Sequence, residues 1–512
     1  MGRSCGILVH PTSFPSEFGM GDLGEKAYQF IDFLEDTQQG IWQILPLGPT
    51  GLGYSPYASY SAFAGNPYLI SPGILNKKGL IEESELADSS LPQTVSVKYD
   101  QAYANKEVLL DKACRRFFER NDREEQQRFN KFKKDNEHWI DDYVLFNVCL
   151  NDRNRIPWNQ WEEKLAKRDK EALATERKKK SKEIEAQYWK QFEFFEQWMA
   201  LRKYANGKKI LIIGDIPIFV DHNSADVWAN KHFFEVDDIG NRQLVSGVPP
   251  DYFSETGQLW GNPLYRWKEL KKDDYQWWVA RFRQMFKMFD AIRVDHFRGF
   301  QAYWEVKADA ETAKTGRWVK GPGEDFFKTI EKNLGKLPII AEDLGVITSD
   351  VEHLRDYFGF PGMKILQFAF DNPDNNFLPH NYPTSNCIVY TGTHDNDTTI
   401  GWYQQAPERE RHYLREYTQS DGSDVSWQLI RLGMLSVAKW AIFPLQDYMG
   451  LDGRHRMNFP GTTENNWLWR YTDKMLINID RDRIRHLADI SNRDRGNAQV
   501  NVKINNIQME VS

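Results

Sequence analysis

The sequence predicts an α/β protein built on a (β/α)8 TIM barrel, with large insertions that form subdomains after strands 2 and 3. Eight short apolar runs are continuous rather than alternating, as in strands buried on both faces of a parallel sheet. Amphipathic stretches such as residues 275–288 separate several runs, and repeated strand–helix units favour a barrel. The runs are residues 6–9, 41–47, 209–216, 291–295, 337–342, 364–370, 387–391 and 440–445.

Two gaps between these runs are too long for simple crossovers. We expect one catalytic domain over residues 1–486, with a mainly helical insertion at 48–207 and a lid or small subdomain at 221–272. Both insertions are expected to wall a substrate groove. Residues 487–512 turn polar, which predicts a poorly anchored tail without a catalytic role, although residues 500–504 alternate like a strand.

The composition disfavours several classes of protein. The 512-residue chain has a net charge of -7, which gives no basic field for nucleic acid. No stretch reaches about 18 apolar residues, so no membrane span is expected. The four cysteines lack C-x-x-C spacing, which disfavours a disulfide framework or a zinc cluster. We therefore expect a cytoplasmic protein, or one of the plastid stroma if a transit peptide has been removed.

Acidic residues stand at the ends of four predicted strands, at Asp215, Asp295, Glu342 and Asp395. Active sites of such barrels lie at this edge, and clustered like charges need a chemical reason. Cleavage of a glycosidic bond supplies one, because it needs an acid to protonate the leaving oxygen and a second carboxylate. Arg293 shares a strand face with Asp295, so it can lower the pKa of that nucleophile and orient it. Glu342 is then the proton donor, its pKa raised by neighbouring carboxylates.

Two other interpretations of these acids stay open from the residues alone. The acids can form structural ion pairs, or they can bind a metal with neighbouring ligands. Ligand spacing of the H-x-x-E-H type is absent, so we expect neither a metal nor a cofactor. The residues that a metal site would draw on are Asp215, Glu342, Asp343, His394, Asp395 and Asp397.

Longer motifs carry a more specific signal. They are H-P-T-S at 10–13, L-P-L-G-P-T at 45–50, S-P-Y at 55–57, S-A-F-A-G-N-P-Y at 61–68, G-V-P-P-D-Y-F-S at 247–254 and G-Q-L-W-G-N-P-L-Y at 257–265. With them the chain resembles the amylomaltase or disproportionating-enzyme family, glycoside hydrolase family 77, over residues 6–484. The resemblance implies a 4-α-glucanotransferase that acts on maltooligosaccharides and on α-1,4-glucans from starch or glycogen.

The resemblance also implies roles for individual residues. Asp295 is the nucleophile, Glu342 is the acid/base, and Asp395 stabilises the transition state with His394 and Arg293 as close partners. A retaining pair such as Asp295 and Glu342 stands roughly 5–5.5 Å apart across the groove. The residues expected to support the site or to bind the glucan are Tyr57, Ser55, Asp215, Gln258, Trp260, Asn262, Asp371 and Asn466.

The acids alone do not decide between transfer and hydrolysis. Transfer needs a bound acceptor and poor access for water, and a lid over residues 247–260 would supply both. A related α-glucan hydrolase and a catalytically silent glucan-binding protein are the alternatives. Leu52 stands where some relatives carry an aromatic residue thought to hold glucan outside the cleft, so a second sugar site is not expected there.

Overall fold

The computed structural model describes residues 2–250 and 254–498. Within these residues eight parallel strands form one sheet in the order β10-β11-β12-β1-β2-β3-β6-β9. The Ala341 N–H donates to the Pro361 carbonyl over 2.9 Å and joins the two edges. The predicted (β/α)8 barrel is therefore confirmed. The strands are β1 Ser4–Leu8, β2 Ile41–Gln43, β3 Leu211–Pro217, β4 Leu244–Val248, β5 Gln258–Pro263, β6 Ala291–Asp295, β7 Ala302–Lys307, β8 Gly316–Lys320, β9 Ile339–Ala341, β10 Gly362–Ile365, β11 Cys387–Tyr390 and β12 Trp440–Pro444.

Each of the eight predicted apolar runs overlaps one barrel strand. Five of these strands, β1, β2, β9, β11 and β12, are buried along their whole length, which explains why their sequences do not alternate. The run at 364–370 was extended too far, because β10 ends at Ile365 and a 3-10 turn follows. In that turn the Gln367 N–H donates to the Thr391 carbonyl over 3.1 Å, so the chain bends at the rim.

Helices cover the outside of the barrel and fill the segment between β2 and β3. They are α1 Glu25–Asp36, α2 Pro72–Lys77, α3 Glu83–Asp88, α4 Tyr99–Arg120, α5 Arg123–Asp135, α6 Glu137–Asp152, α7 Glu163–Ala166, α8 Lys170–Lys179, α9 Ser181–Gly207, α10 Ala225–Ala229, α11 Trp267–Lys272, α12 Gln276–Met288, α13 Gly323–Leu334, α14 Ser349–Tyr357, α15 Thr399–Gln405, α16 Glu408–Thr418, α17 Val425–Leu435, α18 Leu445–Tyr448, α19 Asp473–Ile477 and α20 Arg481–Ile490. None of the described helices is long and apolar enough to cross a membrane.

The long helix α9 holds the loop that follows β2 against the barrel. The Gln191 side chain exchanges two 2.9 Å hydrogen bonds with the backbone of Gly65. A side chain at Gly65 would collide with the Phe194 ring, since an added Cβ would lie 2.0 Å from it. Glycine is therefore required at this position, and the close contact fixes a loop that also carries Ser55 and Tyr57.

A second sheet was not predicted. It is antiparallel, has the order β5-β4-β7-β8, and draws its strands from two segments on either side of β6. Its small core consists of Val245, Val306 and Ala313. The segment 221–272 therefore does not form its sheet alone, because β7 and β8 complete it from a further insertion after β6. The lid segment 247–260 forms part of the β4–β5 hairpin, of which residues 251–253 lie outside the described residues.

The expectation of a poorly anchored tail from residue 487 is wrong for the part that the structure describes. Leu487 belongs to α20, and the Arg493 side chain is 0% exposed. Its guanidinium donates to five backbone carbonyls from β1, α17 and the α17–β12 connection, at 2.7–3.2 Å. Polar composition is not a sign of an exposed tail here, because the N–H groups of the Arg493 guanidinium are bonded to carbonyls inside the protein. The alternating run at 500–504 lies outside the described residues.

Replacing Arg493 tests this anchor. Arg493→Ala should lower the free energy of unfolding by about 3 kcal/mol, because several buried carbonyls lose their donors at once. Urea unfolding followed by tryptophan fluorescence measures the change. Arg454→Ala is the matched control, since the Arg454 side chain is almost fully exposed and should leave the transition unchanged. Equal midpoints for the wild type and Arg493→Ala would contradict the anchoring role.

Candidate active site

The carboxylates that the sequence singled out converge at the C-terminal rim of the barrel. Asp215 lies within β3, Asp295 ends β6 and Glu342 directly follows β9. These three strands are neighbours, and their register pairs Asp215 with Arg293 and Val294 with Ala341. Residues separated by more than a hundred positions thus share one groove.

Arg293 stands between two of these acids. Its Nη1 lies 2.7 Å from Asp215 Oδ2, and its Nη2 lies 2.8 Å from Asp295 Oδ1. The side chains of Arg293 and Asp215 are buried, whereas that of Asp295 is 30% exposed. The arginine therefore fixes one oxygen of Asp295 and leaves the carboxyl reachable from the groove.

The Glu342 carboxyl is held by backbone groups rather than by a cation. Its Oε2 accepts from the His296 N–H at 2.7 Å, and its Oε1 accepts from the Leu344 N–H at 3.0 Å. Burial raises the pKa of Glu342 to about 8, with the charge of Asp295 adding to the rise and Arg293 and the two N–H groups opposing it. His296 adopts a left-handed backbone conformation with φ of 51° as it presents this N–H, an unusual geometry of the kind that clusters at functional sites.

The expectation that Arg293 lowers the pKa of Asp295 is only half correct. Arg293 does act in that direction, but removal from water raises the pKa more, and Asp215 and Asp395 add to the rise. The net pKa of Asp295 is therefore above its ordinary value. Arg293 contacts Asp295 directly and does not form an ion pair with Glu342, so Glu342 is the better holder of a proton.

Tyr57 and His394 form an aromatic wall beside these acids. Their rings stack with centroids 4.9 Å apart, and the Tyr57 hydroxyl donates to Asp215 Oδ2 at 2.8 Å. Burial and the charge of Asp215 raise the pKa of Tyr57 and keep it neutral. His394 Nε2 lies 3.4 Å from Asp395 Oδ1. One chain of contacts therefore links Asp295 to Asp395. It runs through Arg293, Asp215, Tyr57 and His394.

Two partners of Asp395 were missed from the sequence. Asn458 Nδ2 donates to Asp395 Oδ1 at 2.6 Å, and Arg456 donates to the Asp395 carbonyl at 2.6 Å. The Arg456 guanidinium also lies 4.1 Å from the centroid of the half-exposed Phe459 ring. The stretch R-M-N-F carries no acid or known spacing, so nothing in it marked these residues as part of a site.

Residues of the β4–β5 hairpin lie next to the acids. The exposed Trp260 ring meets His296 edge to face with centroids 4.7 Å apart, and its indole N–H donates to Gln258 Oε1 at 3.2 Å. Asn262 donates to the Val220 carbonyl at 3.0 Å and ties β5 to the loop after β3. Ser55 Oγ accepts from the Tyr57 N–H at 3.2 Å, which shapes the turn that presents Tyr57.

Asn466 shapes the loop that carries Phe459, and its contact with glucan stays a prediction. It is 4% exposed, its Oδ1 accepts from the Phe459 N–H at 2.8 Å, and its Nδ2 donates twice to Thr462. These bonds close the loop that carries Phe459. Asp371 lies on an exposed turn, where Asn375 donates to its Oδ1 at 2.6 Å, and its contact with glucan stays a prediction.

The metal interpretation has no support among the described residues. No group of three or more His, Cys, Asp or Glu side chains among them is arranged to hold an ion. Asp215 and Asp295 instead share Arg293, and Glu342 accepts from backbone N–H groups. The alternative of structural ion pairs does not account for an accessible Asp295 beside a carboxyl with a raised pKa.

Comparison with known proteins agrees with this geometry. The glycoside hydrolase family 77 model, described as 4-alpha-glucanotransferase, matches residues 9–476. The 4-alpha-glucanotransferase of Thermus thermophilus is 46% identical over 499 residues, which cover 96% of this chain and 99% of the relative. That of Synechocystis is 49% identical over 479 residues, which cover 93% and 95%. The solved structure of the amylomaltase from Streptococcus agalactiae in complex with acarbose has a TM-score of 0.93 at 37% identity, covering 96% of this chain and 100% of that chain. The chain belongs to the 4-alpha-glucanotransferase family.

Proposed function

We propose that this chain transfers a segment of an α-1,4-glucan to the 4-hydroxyl of another glucose or glucan, with retention of configuration. The observation that carries the proposal is the pair at the ends of β6 and β9. Asp295 forms an ion pair with Arg293, whereas Glu342 forms no ion pair among the described residues and has a raised pKa. A retaining mechanism needs these two states, a charged nucleophile and a protonated acid. We expect the two carboxyl groups to stand about 5–5.5 Å apart.

In the first step Glu342 gives its proton to the glycosidic oxygen while an Asp295 oxygen bonds to the anomeric carbon. The carbon–oxygen bond breaks, and the leaving glucan departs with a new 4-hydroxyl. In the second step the 4-hydroxyl of an acceptor gives its proton to Glu342 as its oxygen displaces Asp295. Asp395, held by His394 and Asn458, stabilises the positive charge on the ring in both transition states.

Transfer, rather than hydrolysis, requires that an acceptor reaches the glycosyl-enzyme before water does. The β4–β5 hairpin supports this preference, because it places the exposed Trp260 ring against His296, whose N–H binds Glu342. An aromatic ring at that point can stack on the apolar face of an acceptor sugar. We take maltooligosaccharides and other α-1,4-glucans as donors and acceptors, in line with the names of the relatives.

Incubation with maltotriose tests the proposed function. Disproportionation gives glucose and a ladder of longer chains with no net gain in reducing ends, whereas hydrolysis raises reducing ends and a silent binding protein changes nothing. Asp295→Ala should abolish the ladder yet still bind maltooligosaccharides, because the nucleophile is lost and the aromatic wall is kept. Activity within about tenfold of the wild type, a barrier change of only about 1.4 kcal/mol, would refute the role of Asp295.

The raised pKa of Glu342 predicts a pH dependence with a defined sign. The acid must be protonated in the first step, so kcat/KM should hold below the pKa of about 8 and fall as the pH rises through it. Glu342→Gln should lower turnover of maltotriose by roughly 100-fold or more and remove this alkaline limb. Fluoride leaves with little acid assistance, so formation of the glycosyl-enzyme from a glycosyl fluoride should be much less impaired in Glu342→Gln. Equal losses on both donors would contradict the acid role.

Asn458 offers a test of the part of the site that the sequence did not reveal. Asn458→Ala removes the donor to Asp395 and should lower kcat/KM for maltotriose by about 10- to 100-fold, as expected for a hydrogen bond to a charged group. Arg454→Ala, four residues earlier and facing solvent, is the control and should behave as the wild type. An unchanged kcat/KM in Asn458→Ala would remove Asn458 from the catalytic set.

A further inference from the structure

Arg298 is a buried cation whose charge the proposed mechanism does not use. It lies three residues after Asp295, in the 3-10 turn Phe297–Phe300, and is 5% exposed. Among the described residues it forms no ion pair with a carboxylate, and burial is the one cause that shifts its pKa, downward. Placing an unpaired guanidinium inside a protein costs free energy. The free-energy cost of burying Arg298 therefore needs an offsetting contact, and its position near Asp295 suggests a functional role.

Two contacts hold the Arg298 guanidinium. One Nη group donates to the carbonyl of Val346, in the loop after Glu342. The ring of Trp318, in β8, lies against the guanidinium, with the guanidinium carbon 3.8 Å from the ring centroid. Trp318 is 39% exposed whereas Arg298 is 5% exposed, and the cation–π contact partly offsets the hydration that the buried cation has lost. We name these three residues, Arg298, Trp318 and Val346, the clamp.

The loop that the clamp holds carries a hydrogen bond to the acid. At its start, the Asp343 carboxylate is tied to the barrel by Arg355 at 2.5 Å and by the Met363 N–H at 2.7 Å. Next, the Leu344 N–H donates to Glu342 Oε1 at 3.0 Å. Val346, two residues on, is 54% exposed, and its carbonyl is bonded to Arg298. The N–H of Leu344 therefore lies between two anchors.

We propose that Arg298, locked beneath Trp318, is a positioning residue that holds the loop after Glu342 and so directs the carboxyl that protonates the leaving oxygen. Without the clamp, residues 344–347 keep the anchor at Asp343 and the packing of Leu344 and Ile347 against the core, but the backbone at Val346 loses its partner. The Leu344 N–H then no longer holds Glu342 Oε1, and the carboxyl gains rotational freedom at the moment when its proton must meet the glycosidic oxygen. The second sheet acquires a role in catalysis through Trp318. This inference rests on the proposed function.

The test compares two donors and the alkaline limb of the pH profile. Arg298→Lys keeps the charge but loses the planar group that stacks on Trp318 and reaches Val346. We expect kcat/KM for maltotriose to fall about tenfold, with glycosylation by an α-maltosyl fluoride within about threefold of the wild type. The alkaline limb should move upward, because the Leu344 N–H lowers the pKa of Glu342 and its loss raises it. The other charged groups that act on Glu342, Arg293 and Asp295, stay in place.

Variants of Trp318 provide the matched comparison and guard against a folding defect in Arg298→Lys. Trp318→Leu removes the ring from an edge strand. It should lower kcat/KM for maltotriose as Arg298→Lys does, leave glycosylation by the fluoride nearly unchanged, and move the alkaline limb of the pH profile upward. Trp318→Phe keeps an aromatic face and should stay close to the wild type. Hydrogen exchange at the Leu344 amide should be faster in Arg298→Lys and Trp318→Leu than in Trp318→Phe.

The outcomes separate this proposal from the proposed function. Failure of the wild-type chain to disproportionate maltotriose would overturn the proposed function itself. Wild-type transfer together with equal losses on maltotriose and on the fluoride, or with an unmoved alkaline limb, would overturn the clamp and leave a purely structural role. The double variant Arg298→Lys with Trp318→Leu should be no worse than either single variant; additive losses would show that the two residues act independently.

Discussion

The contact of Arg293 with both Asp215 and Asp295 is the interaction on which the rest of the site depends. Three aspartates and a glutamate meet at one rim, and without a cation among them their mutual repulsion would favour protonation of several. One guanidinium bridges Asp215 and Asp295 at 2.7 and 2.8 Å, which fixes the direction of the Asp295 carboxyl, the proposed nucleophile. Because Asp215 also accepts from Tyr57, the same arginine holds the aromatic wall in register with the acids.

The barrel brings these residues together through its regular backbone. The neighbouring parallel strands β3, β6 and β9 end at the same rim, so residues far apart in the chain meet without long loops. The inserted helices serve the same end from outside, since α9 fixes the loop of Tyr57 through Gln191 and Gly65. The precision of the site thus derives from rigid elements, whereas the hairpin beside it carries the surface that we propose for the acceptor.

The sequence predicted what depends on local pattern and missed what depends on tertiary partners. Continuous apolar runs predict buried parallel strands, and acids at the ends of these runs indicate the rim. The second sheet was missed because β7 and β8 mix charged and aromatic residues and pair with strands from before β6. Asn458, Asn466 and Arg493 show the same limit, because a polar residue looks alike in sequence whether it faces a groove, closes a loop or satisfies buried carbonyls.

In the proposed mechanism, the unequal surroundings of Asp295 and Glu342 also let the Glu342 carboxyl serve both steps. In the free site the charge of Asp295 contributes to the raised pKa of Glu342, so Glu342 begins protonated. When Asp295 bonds to the anomeric carbon its negative charge disappears, whereas Arg293 and the two N–H groups remain and favour an ionised Glu342. Burial still raises the pKa of Glu342, but the contribution of Asp295 is gone, so we expect this pKa to fall and Glu342 to act as a base for the incoming hydroxyl. In this proposal, formation of the bond to Asp295 converts Glu342 from an acid into a base, at the point where the second step needs a base.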